Sequence, residues 1–150
     1  MILNDKIKLT GHLHIQVVNR EGEITREYDW DNMITNVGYL AAAQSLAGVS
    51  GAAINSVAMG TNSTAPALTD TAITSPFSVP VTGVVYHPIL TDDPKWVQFN
   101  FTVGFLQAVG MNIYEWGLIT ADGRLFSRLT RSLIAKTNEM QLVGQWTINM

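Results

Sequence analysis

Alternation with a period of two dominates the chain. Ile7, Leu9, Leu13, Ile15 and Val17 fall on one face, with Gly11 as the gap; Lys6, Lys8, Thr10, His12, His14 and Gln16 fall on the other. Such a run predicts a half-buried strand. Asn19-Arg20-Glu21-Gly22 reads as a turn whose glycine supplies a positive φ. Ile24 to Trp30 returns from it with Tyr28 and Trp30 on one face, which makes a hairpin. A change of period follows. Asn36 is positioned to cap a helix whose apolar face is Val37, Leu40, Ala41, Ala43 and Leu46, and Gly48 supplies the stop.

Ile54 to Met59 is a short apolar run that predicts a buried strand. Gly60 to Thr71 is small, polar and broken by Gly and Pro, so it is a loop. It is too long for a simple hairpin and is expected to cross between sheets or lie over a neighbouring surface. Phe77, Val79, Val81 and Val85 alternate, and Pro76 and Pro80 place that strand at an edge. Val97, Phe99, Phe101, Val103 and Phe105 form the cleanest inward face, opposite Trp96, Gln98, Asn100 and Thr102. Met111 to Ile119 is apolar on both faces and predicts a central strand, which Ala121-Asp122-Gly123 turns into Leu125 to Leu129. Met140, Leu142, Trp146, Ile148 and Met150 make the last strand. The pattern predicts one all-β, mainly antiparallel domain over residues 1–150, a β-sandwich of jelly-roll type with about eight strands, one short helix and a short N-terminal arm.

Composition narrows the function classes. Of 150 residues, 47% are hydrophobic and only 14% charged, below the usual quarter. Part of the surface is therefore expected to be covered by partners. The net charge of −3 gives no global attraction to nucleic acid. With no cysteine, disulfides, thiolate metal sites and cysteine nucleophiles are excluded. No stretch has signal-peptide or membrane-span length, so a soluble chain made in the cytoplasm is expected, with no membrane partner.

Candidate chemistry is sparse. His12 and His14, two apart on one strand face, could present two imidazoles to a metal, but the sequence nominates no third ligand and a polar solvent face explains them. The Gly60 loop lacks the Gly-Lys-Ser/Thr ending of a phosphate loop. Glu115 sits in the buried-looking Ile113-Tyr114-Glu115-Trp116-Gly117-Leu118. A general acid is one reading; an acceptor for loop N–H groups or for Arg128 is the better one, because buried polar groups are normally satisfied. Asp92 and Asp93 read as a solvated turn, and no nucleophile elbow is present. Arg124, Arg128 and Arg131 could grip an anionic or sugar partner or pair internally with Glu115 or Asp122. Trp30, Tyr39, Tyr86 and Trp96 are aromatics without a clean inward place, suited to protein interfaces or sugar stacking. No catalytic residue, cofactor or metal is expected.

Three stretches together resemble a pattern in bacteriophage structural proteins of the tail-collar and fibre-attachment type. They are Asn32 to Gly38 leading into the helix; Val57-Ala58-Met59-Gly60-Thr61 with Thr64-Ala65-Pro66 and Asp70-Thr71-Ala72; and Ile113 to Leu118 with Asp122 to Arg128 and then Lys136. Asn32, Asn36, Gly38, Asp70, Glu115, Gly117 and Lys136 mark its structural positions. The resemblance implies a non-enzymatic virion component that assembles through contacts. Fibre proteins continue into a long shaft, whereas this chain ends after its last strand. That is similar to a capsid decoration (cement) protein, a type often trimeric and sandwich-like. The leading expectation is therefore a homo-oligomer, by analogy a trimer, that clamps major capsid subunits in the virion. The contacts are expected from Met1, Ile2, Leu3 and Lys6 of the arm, from Gly60, Thr61, Asn62 and Pro66 of the loop, and from Trp96, Arg124, Arg128 and Arg131. A tail, collar, baseplate or fibre-attachment subunit is the alternative, and a carbohydrate-binding module using Trp96 or Trp30 the third reading.

Overall fold

The computed structural model describes residues 8–88, 90 and 95–150. The arm positions Met1, Ile2, Leu3 and Lys6, and the Asp92-Asp93 turn, lie outside them. The elements are β1 (Thr10–Val18), β2 (Ile24–Ile34), α1 (Asn36–Leu46), β3 (Ile54–Gly60), β4 (Phe77–Pro80), β5 (Gly83–Tyr86), β6 (Trp96–Val103), β7 (Asn112–Thr120), β8 (Leu125–Ala135) and β9 (Gln141–Asn149). The all-β antiparallel reading holds, with nine strands among the described residues in one sheet ordered β4-β3-β7-β8-β2-β1-β9-β6-β5.

The single run expected over Phe77 to Val85 is two strands, β4 and β5, at opposite ends of that order. Only Val81 and Thr82 separate them. Val81 N–H donates to Asn55 O on β3, and Thr82 N–H donates to Asn100 O on β6. Two residues cannot span an open nine-stranded sheet, so the sheet curls until its ends meet. Phe101 of β6 then reaches Trp116 of β7 across the interior, with ring centroids 6.3 Å apart. Leu13, Ile15, Val57, Leu118, Leu129, Leu142 and Trp146 complete this core without solvent exposure. Each such side chain contributes about 1.5–3 kcal/mol on burial.

Trp30 belongs to the core side. It pairs with Leu13, stacks 4.8 Å from Tyr28 and lies 6.4 Å from Trp116. Strands β2 and β8 run further than expected. Their ends pair only at Met33 with Arg128 and Ile34 with Ser127, which joins the two halves of the sheet.

The helix differs from its sequence pattern in two ways. Thr35, not Asn36, is the N-cap: its Oγ1 accepts from Gly38 N–H at 2.9 Å and its hydroxyl donates to Leu125 O at 2.7 Å. Asn36 instead donates its backbone N–H to Leu68 O. The buried helix residues are the small Gly38 and Ala41, while Leu40 is 54% and Leu46 93% exposed. The helix meets β8 so closely that only small side chains fit between them. Thr35→Ala is expected to lower unfolding stability by about 1–2 kcal/mol, since it removes a cap and leaves a buried carbonyl short of a donor. Urea unfolding checks this; a loss under half a kilocalorie would contradict the cap assignment. Among the described residues no helix is long and apolar enough to cross a membrane.

Candidate functional site

The loop after β3 does not cross between sheets. It joins β3 to β4, antiparallel partners with Met59 opposite Phe77. A loop of this length needs ties, and two side chains from adjacent strands supply them. Glu115 on β7 is fully buried, and its Oε1 accepts from Thr74 N–H at 2.8 Å and Asn62 N–H at 3.2 Å. Its Oε2 accepts from Arg128 Nε on β8 at 2.9 Å. Arg128 Nη1 donates to Asp70 Oδ2 at 2.9 Å and Nη2 to Thr64 O at 3.1 Å. Asp70 Oδ2 also accepts from Ala67 N–H at 2.8 Å. Three loop segments are thus held by one buried ion pair.

Glycines make room for this latch. A Cβ on Gly60 would stand 2.2 Å from Glu115 Oε1, and one on Gly117 2.8 Å from Ile73 and Leu125 side-chain atoms. Glu115 therefore has the structural role favoured from sequence. Asn32 and Ser127 fasten the neighbouring junction: Ser127 Oγ lies 2.7 Å from Asn32 Oδ1, which packs over Gly11.

The expected contact residues separate. Gly60 and Arg128 are buried within the chain: Gly60 packs on Glu115, and the donors of Arg128 serve the latch. Thr61 is exposed; Asn62 and Pro66 are half-buried. Arg124 pairs with Asp122 at 3.0 Å and donates to Gln44 Oε1 on α1 at 2.6 Å. Arg131 is exposed but donates to Thr130 O and Asp31 O at 2.7 and 2.6 Å. The three arginines thus make three separate internal ties, although Arg128 and Arg131 line one open cleft. Trp96 is half-buried and meets the His87 ring edge-on at 5.6 Å. Tyr39 hydroxyl donates to Leu9 O at 3.2 Å, while Tyr86 is exposed.

Lys136 is buried and donates to Thr137 O at 2.8 Å and Phe105 O at 3.3 Å. Burial, and then the charge of Arg20, hold its pKa below the ordinary lysine value. Its backbone bonds Gly110 and Met111, so one residue anchors the turn after β6. Arg20 closes the other side of that turn, 4.5 Å over the Phe105 ring. From the anchored turn Leu106 (82%) and Val109 (51%) project into solvent. Sequence reading missed this tip because Leu106 and Val109 lie in no period. An open cleft of about 480 Å³ lies where Leu9, Asp31, Met33, Tyr39, Leu68 and Arg131 meet. Among the described residues no group of three or more His, Cys, Asp or Glu side chains is arranged to hold a metal ion.

The fold and the latch together define a curled all-β domain whose buried charges serve to hold loops. No family model matches the chain, and no curated protein or solved structure matches it.

Proposed function

We propose that this chain is a non-enzymatic structural component of a bacteriophage particle, a decoration protein that clamps neighbouring capsid subunits. The observation that carries the reading is where the three resembling stretches go. The loop through Asp70 and the strands bearing Glu115, Gly117 and Arg128 meet in one latch, and Asn32 to Gly38 fastens the junction beside it and bonds the same loop at Leu68 O, so the three stretches lie together. Its charged groups shape loops, and apolar side chains remain outside on α1 and on the Leu106–Val109 tip. A tip already held by Lys136 and Arg20 loses little freedom on docking, which favours contact. Binding of this kind stabilises the assembled shell by mass action.

Purified protein should bind expanded capsids that lack it and appear by electron microscopy as ordered density on the shell. Leu106→Asp combined with Val109→Asp should weaken that binding at least about tenfold, the effect of losing 1.4 kcal/mol, without changing Tm. Density on the tail alone would move the assignment to a collar or fibre-attachment subunit, and no binding to any particle would refute it.

A further inference from the structure

On the outward face of the first hairpin, His12 stands opposite Asp31 and His14 opposite Asp29. His12 Nδ1 lies 2.9 Å from Asp31 Oδ1, and its Nε2 lies 3.0 Å from Asp29 Oδ1. His14 Nδ1 lies 2.8 Å from the same Asp29 oxygen. An ionised carboxylate only accepts hydrogen bonds, so an imidazole bonded to carboxylates through both nitrogens donates from both. Only the imidazolium carries two N–H groups. We propose that these four residues form a proton-operated clasp: protonated His12 ties β2 to β1 through Asp29 and Asp31 together, and deprotonated His12 lets one of them go.

The surroundings suit such a role. From β9, Thr147 and Gln145 stand opposite His12 and His14 and carry no charge. On the same face Glu27 of β2 accepts from Gln16, and Lys8 precedes the strand. From β8, Arg131 donates to the Asp31 backbone carbonyl. The Asp31 hydrogen bond, reinforced by Asp29 and opposed by burial, raises the His12 pKa above its ordinary 6.5. Hydrogen bonds from His12 and then His14 lower that of Asp29 below 3.8. The raised histidine contributes stability that is complete below pH 6.5 and is lost as pH rises through its folded pKa. The lowered aspartate contributes stability present above 3.8 and lost as pH falls through its folded pKa. The clasp is therefore tightest between these limits, in the mildly acidic range.

What it would control is β2. That strand is largely exposed, and it pairs with β8 only at Met33 and Ile34. Its length from Ile24 to Asn32 depends on β1. Beside the end of the β8 pairing, Arg131 bridges Asp31 O and Thr130 O across the junction. Loosening Asp31 therefore loosens both the hairpin and the junction of the two half-sheets.

The test is NMR titration of the histidine rings, with thermal melts at pH 5.5 and 8.5 in low salt. In the wild type His12 should titrate above 6.5, and Asp31→Asn should bring it down. The wild type should melt about 1–3 °C above His12→Gln at pH 5.5, as expected of a partly exposed pair, and the gap should vanish by pH 8.5. Added salt should shrink it. A His12 midpoint at or below 6.5 in the wild type overturns the clasp, as does an equal melting gap at both pH values. Should His12→Gln not fold, the titrations of the wild type and of the nearly isosteric Asp31→Asn decide it alone.

Discussion

Arg128→Met is expected to lower unfolding stability by about 3–5 kcal/mol, the range for removing one partner of a buried ion pair. The size follows from what is left behind. Glu115 has no solvent exposure, and one of its oxygens depends on Arg128 Nε alone among the donors of the described residues. Asp70 and Thr64 O each lose the guanidinium donor as well, so the loop between β3 and β4 keeps its bonds to Glu115 Oε1, the bond from Asn36 N–H to Leu68 O and its own turns. At roughly 2–4 °C per kilocalorie for a chain of this size, Tm should fall by about 10 °C, and limited proteolysis should nick the loop first. Adding Glu115→Gln removes the stranded charge and should restore a large part of the loss. A double-mutant cycle by urea unfolding measures that coupling. Additive effects of the two changes would show that the pair is not the loop's anchor.

Gly38→Ala sets local propensity against packing. In a helix interior, alanine is favoured over glycine by about 1 kcal/mol, so propensity alone predicts a gain. The structure predicts a loss. A Cβ at this position would stand 2.0 Å from the carbonyl oxygen of Phe126 and 2.9 Å from the Ile34 side chain. A β8 carbonyl cannot rotate away as a flexible side chain can, so the helix must lift. Lifting strains the Thr35 cap and uncovers Ala41. With overpacking at about 1–3 kcal/mol or more, the net effect should be destabilisation by about 2 kcal/mol. Thermal unfolding checks the sign, and a variant as stable as the wild type would show that the helix does not pack at this distance.

Much of this molecule is legible in its sequence. The inward faces of β1, β6 and β9 follow from alternation, because one side of each meets the core and the other meets solvent. Glu115 and Arg128, and Asp122 and Arg124, could be nominated as pairs because a buried carboxylate needs a donor and a short turn brings its ends together. The helix could be located but not oriented. Its large apolar residues suggested a buried stripe, yet close approach to β8 selects the smallest residues instead.

The histidine–aspartate cluster was hidden by one backbone irregularity. The register shifts between Val17 and Val18. A hairpin extended from the Val18–Ile24 pair without that bulge puts His12 opposite Trp30 and His14 opposite Tyr28, with the two aspartates on the other face. A shift of one residue exchanges the faces of a strand, and no local pattern announces it. Local periodicity thus determined the strands, the helix position and the all-β class, because each reflects contact between nearby residues and one core. Tertiary structure decided the closure of the sheet through Val81 and Thr82, the partners of Glu115 and Arg128 in a distant loop, the buried side of α1, and the meeting of His12 with Asp29 and Asp31. Those depend on register, on approach distance and on which strand edges meet, quantities set only when separate parts of the chain pack together.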